Sequence, residues 1–455
     1  MRFPYQVLII FLGILFCCSG VPAATSNADA LKETQFLIDA GWTVKAKERI
    51  EQALANEAAL SPEELASWLE LSTTVLLVNP WSFRKSDFEQ ASKRLEQAYA
   101  LRSHKANSPT ALAYTKMLQA IVMFVLGNNE SARRQIEEIL AESSTGQVNA
   151  VTQAWGWRIL SAFYSGGNIS EMKRLVKKQL DVLERSKGEN FHQWWVARAH
   201  LSNIYDAMND IKASLSERTA IVQAMTEKYG KNAPITLARR TYLASTYVSA
   251  GRYELATQQC DQLLPQMEIF RENLPGLSIY LSQTCFEVML FNDNLPSAHD
   301  TITDALEYHK QYHLESFESQ GAVLRIAANR GRVIAKTQGY VAAATFLKHY
   351  LEQSGSQASS EEKHYEWSVY AELLFRAGRL DEARHTVEQI LTTLNIADSN
   401  EWKWIPFYPN VVAPDRLLGE LELIEGNLDK AKEILERAWR ERVELLGSEN
   451  PDTII

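Results

Sequence analysis

The nearest thing to a metal site in this sequence is His309-Lys310-Gln311-Tyr312-His313, followed by Glu315. Two imidazoles at i and i+4 share a helix face and can hold a metal together. Lys310, however, stands where a zinc protease needs its glutamate base. Histidine is also at home in the last turn of a helix, where the dipole favours it, so no metal is expected. Cys260 and Cys285 are the other candidates for chemistry. Two cysteines make neither a disulfide framework nor a four-ligand zinc site. In an exported chain they could be oxidised to a disulfide, but free cysteine also behaves as a small core residue, and a pair of buried thiols is the favoured expectation. Asn129-Glu130-Ser131 and Asn168-Ile169-Ser170 fit the glycosylation acceptor pattern, which is short enough to arise by chance. No phosphate-cradling glycine loop, Gly-x-Ser-x-Gly elbow or His-Glu-x-x-His run occurs. No acid, base and nucleophile converge, so neither enzymatic activity nor a cofactor is expected.

The pattern that organises the chain is a period. Leu243-Ala244, Tyr247, Gly251-Arg252-Tyr253, Ala256 and Cys260 form its clearest unit. Tyr370-Ala371, Leu374, Gly378-Arg379-Leu380, Ala383 and Val387 repeat it, as do Leu418-Gly419, Gly426-Asn427-Leu428, Ala431, Leu435 and Ala438. In each, a small residue precedes a second small residue by twelve positions, with a glycine between. Two antiparallel helices joined by a tight turn approach closest where both carry small side chains, and the glycine closes the first helix with a left-handed cap. Weaker copies place the second-helix marker at 46, 91, 132, 172, 214, 256, 298, 344, 383 and 431, a beat of about 42 residues. Helix starts agree with this frame: Ser61-Pro62-Glu63-Glu64, Ser108-Pro109, and Ser359 with Glu362 carry capping chemistry.

The small-large-Gly-Ala order of these units resembles the tetratricopeptide repeat, in the long form found in kinesin light chains and bacterial signalling arrays. Tyr229-Gly230-Lys231-Asn232-Ala233-Pro234-Ile235-Thr236 and Leu446-Gly447-Ser448-Glu449-Asn450-Pro451-Asp452-Thr453 look like the links between such repeats. The resemblance covers nearly all of residues 25–455. It implies an all-α, right-handed α-solenoid of about ten helix-turn-helix repeats, with an aromatic and proline-rich insertion at 395–414. Trp402, Trp404, Phe407 and Tyr408 of that insertion form a candidate contact loop, since exposed aromatics call for a covering surface.

Residues 1–24 read differently. Arg2, an apolar run from Val7 to Phe16 and small residues through Ala24 describe a secretory signal peptide, too short for a spanning helix. The chain is therefore expected to be exported, periplasmic or secreted, with an envelope-anchored lipoprotein or an N-terminal signal anchor as alternatives. No stable membrane span is expected once the signal is cleaved. The net charge of −9 falls to −10 without it, because the segment carries one basic residue and no acid. That balance argues against nucleic-acid binding, which needs basic surface.

The resemblance also implies that first helices line a concave groove. Counting from the small residues gives Tyr114, Met117, Ile121 and Phe124, then Val196, Ala199, Asn203 and Asp206, then Thr241, Ser245 and Val248. Tyr280, Gln283, Glu287 and Leu290 follow, then Tyr365, Ser368, Glu372 and Phe375. The groove reads as apolar at one end and polar to acidic beyond, suited to a peptide with apolar and basic groups. The carboxylate clamp of chaperone-binding relatives is not matched: Asn203 fits part of it, but Ala199 and Tyr242 stand where Lys and Asn are required. The expected function is a non-enzymatic scaffold binding a protein or peptide, or else a ligand- or peptide-sensing regulatory array. The last repeat, with no polar cap visible, is expected to promote self-association.

Overall fold

A computed structural model describes residues 27–78, 84–104, 108–142, 148–162, 169–184, 191–208, 210–312, 319–353, 364–393 and 413–446. The signal segment, His313, Glu315, Asn168, the 402–408 aromatics, Ser359 with Glu362 and the link from residue 447 on all lie outside the described residues. Those described form helices joined by turns, with no strand among them.

The helices fall into ten consecutive antiparallel pairs. They are α1 (Asn27–Asp39) with α2 (Thr43–Leu54), α3 (Pro62–Leu77) with α4 (Lys85–His104), and α5 (Pro109–Val125) with α6 (Asn129–Ala141). Next come α7 (Ala150–Ala162) with α8 (Ile169–Glu184), α9 (Phe191–Ala207) with α10 (Ile211–Tyr229), and α11 (Pro234–Ser249) with α12 (Tyr253–Leu263). Pro265 ends α12, and a 3-10 turn leads into the short α13 (Met267–Asn273). The last four pairs are α14 (Pro275–Phe291) with α15 (Leu295–Tyr312), α16 (Ser319–Gln338) with α17 (Tyr340–Gln353), α18 (His364–Arg376) with α19 (Leu380–Thr393), and α20 (Pro414–Ile424) with α21 (Leu428–Leu446).

Each second helix carries one of the ten markers, and all but Met172 are buried. Gly419 shows why small residues are needed: a side-chain carbon there would lie 2.6 Å from Leu435 Cγ. The turns share one geometry. At Gly251 (φ 68°) the amide donates to Val248 O and Arg252 N donates to Tyr247 O, the double bond that closes a helix when its next residue is left-handed. The same two bonds recur at Gly41, Gly127, Gly378 and Gly426, and at Asp293 (φ 55°). Ser61 and Glu64 form a reciprocal capping box, and Ser108 accepts from Ala111 N.

The stack turns back on itself within half its length. Pair 1 lies against the openings of pairs 5, 6 and 7: Ile235 N donates to Ala40 O at 3.1 Å, and Thr43 Oγ1 donates to Asn273 O at 2.7 Å. Phe36 packs on Tyr229 with ring centroids 5.5 Å apart, and Asp39 pulls against the burial that lowers His192. These contacts, between residues up to 230 positions apart, leave no local trace in the sequence.

Cys260 of α12 and Cys285 of α14 are joined as a disulfide, with Cα atoms 5.5 Å apart. The favoured expectation of two thiols is thereby corrected. Consecutive pairs pack side by side, so a second helix and the following first helix bring facing residues within bonding reach.

Candidate partner-binding surface

The first helices α5, α7, α9, α11, α14, α16 and α18 stand side by side. Their polar side chains mostly bond one another across adjacent helices. Tyr280 OH donates to Ser245 Oγ at 2.8 Å, and its ring lies 5.2 Å from that of Tyr242. Arg332 reaches Glu287 at 2.5 Å and Tyr365 OH at 3.3 Å, while Tyr365 OH donates to Asn329 Oδ1. Glu372 is half-buried and adds its field to Arg332. Arg218 of α10 donates to Tyr242 O at 2.5 Å, to Asn203 Oδ1 at 2.8 Å and to Asp206.

Nine of the residues expected on the groove surface are instead buried, namely Met117, Ile121, Val196, Ala199, Thr241, Val248, Leu290, Tyr365 and Ser368, and the expectation is corrected for them. Met117 and Ile121 belong to the core shared by the first four pairs. A side-chain carbon on Gly156 of α7 would lie 3.0 Å from Met117 Cε, so Met117 fills the seam between neighbouring first helices. Thr241 is fully buried and returns its hydroxyl to Leu237 O at 3.1 Å. Tyr365 is buried on Asn329 and Arg332, and burial pushes its phenol well above the usual range. First helices approach more closely than a count along one helix suggests, so positions expected to face solvent face the next helix. Tyr114 and Phe124 are half-buried against that core. The Tyr114 hydroxyl lies 3.4 Å from Thr74 Oγ1 and is pushed up to about 12 by burial. Asn203 is exposed, whereas Asp206, Ser245, Tyr280 and Glu287 are half-buried.

The expected acidic end of the groove is also corrected, because acids on the inner helices are neutralised by arginines. Glu70 is held by Arg102 at 2.8 Å, Asp206 by Arg218, Glu287 by Arg332 at 2.5 Å and Glu422 by Arg384 at 2.8 Å. Arginine suits this role because its planar fork meets a carboxylate with two parallel bonds.

Among the described residues, some arginines of the first helices break the pattern: Arg240 bonds only Gln259 and Gln262, and Arg330 Nε has no hydrogen-bond partner. Arg158 of α7 and Arg239 of α11 are half-buried, and neither has an ion-pair partner among the described residues. Burial and the charge of Arg239 bring the Arg158 guanidinium down to about 10. Burial, then the field of Arg218 against that of Tyr242, lowers Arg239, whose Nε has no hydrogen-bond partner. His200 of α9 is pushed down to about 4 by burial and by Arg158, with its Nδ1 unbonded. His192 is lowered by burial and by both arginines, against an opposing pull from Asp39. Ser202, Asn203, Arg218, Arg239 and Tyr242 line a cleft beside this cluster.

Sequence reasoning missed these cations, although a signal existed. Arg158, His200 and Tyr242 are each 42 residues apart and stand two positions before Leu160, Ser202 and Ala244, which precede the second-helix markers by twelve. They form one column facing the same way. The count from the small residue skipped that column. Among the described residues no group of acids, histidines and cysteines is placed to hold a metal, and no helix is long and apolar enough to cross a membrane.

No family model matches the chain, and no curated protein matches it. Among solved structures, aspartyl phosphate phosphatase F from Bacillus subtilis is 12% identical, covers 87% of this chain and 99% of its own, and has a TM-score of 0.45. NprR in complex with its cognate peptide NprX is 13% identical over 77% of this chain and 100% of its own, at a TM-score of 0.40. BtubC (BKLC) from P. vanneervenii is 16% identical over 52% of this chain and 92% of its own, at 0.37. What identifies the architecture lies in the chain itself: ten helix pairs, one repeated turn and a buried small residue in nearly every pair make a tetratricopeptide-like helical-repeat array.

Proposed function

We propose that the protein is a non-enzymatic scaffold, exported to the periplasm or secreted, that receives a protein or peptide partner on the inner surface formed by its first helices. The observation that carries this reading is unpaired charge there: the half-buried guanidiniums of Arg158 on α7 and Arg239 on α11 have no ion-pair partner among the described residues, and the charge of Arg158 bears on the neutral His200 imidazole of the intervening α9. A self-sufficient stack would not need unpaired cations at its least solvated surface. Residues 1–24 and the Cys260–Cys285 bond support export, since disulfides persist in oxidising compartments.

Photo-crosslinking in the intact envelope or secreted fraction tests the proposal. A photoreactive residue at the exposed Asn203 is expected to capture a discrete partner, identified by mass. The same probe at Gln223, exposed on the second helix α10, is expected to capture none. Capture only at Gln223, or at neither position, would count against the groove.

A second reading is a peptide- or ligand-sensing regulatory array, favoured by the contact of pair 1 with pairs 5–7. A ligand bound beside His192 would act on the residue of pair 5 that feels Asp39 of pair 1, and so on that contact. Small-ligand thermal-shift screening separates this reading from the first.

A further inference from the structure

We infer that the inner surface at α7, α9 and α11 is a carboxylate-binding site, in which the guanidiniums of Arg158 and Arg239 and the imidazole of His200 receive acidic groups of a partner segment. The inference rests on the groove reading and gives the partner a chemistry. On this and other first helices, acids are matched by arginines: Glu70 with Arg102, Asp206 with Arg218, Glu287 with Arg332. Arg158 and Arg239 have no such acid among the described residues. Asp39, the acid of pair 1 that faces this interior, acts on His192 and Tyr229 rather than on either arginine.

The two guanidiniums repel one another while partly stripped of water. That arrangement works against folding and is relieved when an anion enters. Arg158 is fixed in place by stacking on Trp155, 5.0 Å from the ring, so its fork is pre-set to bind a carboxylate rather than free to turn to solvent. His200, with Nδ1 unbonded, is drawn toward its protonated, donating form when a carboxylate arrives. The chain's own net charge of −9 repels acidic partners at long range, so recognition is confined to this cluster. An acidic partner reverses the apolar and basic one expected from the sequence.

The test uses the purified full-length protein and labelled peptides. One probe is an acetylated, amidated peptide rich in glutamate, and a second is its glutamine counterpart. A third is a neutral peptide with a free C-terminus, and a fourth is a single-stranded oligonucleotide of equal charge. The glutamate peptide is expected to bind, to weaken with salt, and to lose roughly 10- to 100-fold in affinity in Arg158→Gln or Arg239→Gln. The melting temperature of either variant is expected to hold or rise, because a repulsive charge is removed. That readout separates a ligand site from a structural role, which would lower it. Binding of the free-C-terminus peptide alone would keep the carboxylate site and assign a terminal group to it. Preference for the oligonucleotide would overturn the inference. So would equal binding of the glutamate and glutamine peptides, or binding of neither the glutamate peptide nor the free-C-terminus peptide up to about 1 mM. If Asn203 still captures a partner in those cases, the groove reading survives. If it captures none, both fall.

Discussion

His200 shows how a single residue reports on its surroundings. Its imidazole is held neutral, down to about 4, by burial and by the charge of Arg158. The ordinary value is near 6.5, so the unfolded chain takes up this proton at higher pH than the folded one. The stability that depends on the neutral ring is therefore complete above pH 6.5 and is lost as pH falls from there toward 4. The loss amounts to something on the order of 2 kcal/mol, allowing for the ring's partial contact with water. Urea midpoints at pH 7 and pH 5 are expected to differ more for the native chain than for His200→Gln. Equal pH dependence in both would show that His200 does not feel the burial argued here. The same residue marks how far the site was legible. Its column with Arg158 and Tyr242 is written in the sequence at an interval of 42 residues, but no periodicity says which arginines will find an acid. Arg218, Arg332 and Arg384 do. Arg158 and Arg239 differ from them only in what the neighbouring helices bring.

At the scale of elements, most of the fold was legible because each repeat states its needs locally. Small residues mark where helices touch, left-handed positions mark where they turn, and Ser-Pro pairs mark where they start. Asp293, a non-glycine with φ 55°, fills the same turn where the pattern was weak. Nine groove positions were misplaced for a physical reason: lateral packing of one first helix on the next depends on both partners, as Met117 against Gly156 shows. The disulfide belongs to this scale too. It ties the second helix of pair 6 to the first helix of pair 7 across 25 residues, a loop whose closure contributes about 3 kcal/mol in the chain-entropy view. In a stack held by nearest-neighbour contacts that stabilisation stays local. Hydrogen exchange of Cys260→Ser/Cys285→Ser is expected to quicken from α12 to α14 and to leave α3 to α6 unchanged. Uniform quickening along the chain would contradict a local tie.

At the scale of the molecule, two surfaces decide behaviour. The last pair leaves Leu423, Ile424, Leu428 and Trp439 exposed, and light scattering at high concentration is expected to show self-association that Ile424→Glu with Trp439→Glu weakens. A strictly monomeric profile would remove that expectation. The other surface is the contact between pair 1 and pairs 5–7, and glycines test it cleanly. Gly127 and Gly41 occupy equivalent turns with φ of 89° and 82°. A side-chain carbon at Gly127 meets nothing within 4 Å, whereas one at Gly41 would lie 2.9 Å from Ile235 N and 3.2 Å from Pro234 Cβ. Gly127→Ala therefore incurs only the left-handed backbone cost, about 1 kcal/mol. Gly41→Ala incurs the same cost and also pushes pair 1 off its seat, straining the bonds from Ile235 N to Ala40 O and from Thr43 to Asn273 O, about 1 kcal/mol each. Small-angle scattering is expected to show a larger radius of gyration for Gly41→Ala and an unchanged one for Gly127→Ala. If the two variants scatter alike, the turn of pair 1 does not hold the stack closed, and access to the cationic inner surface is not governed from its N-terminal end.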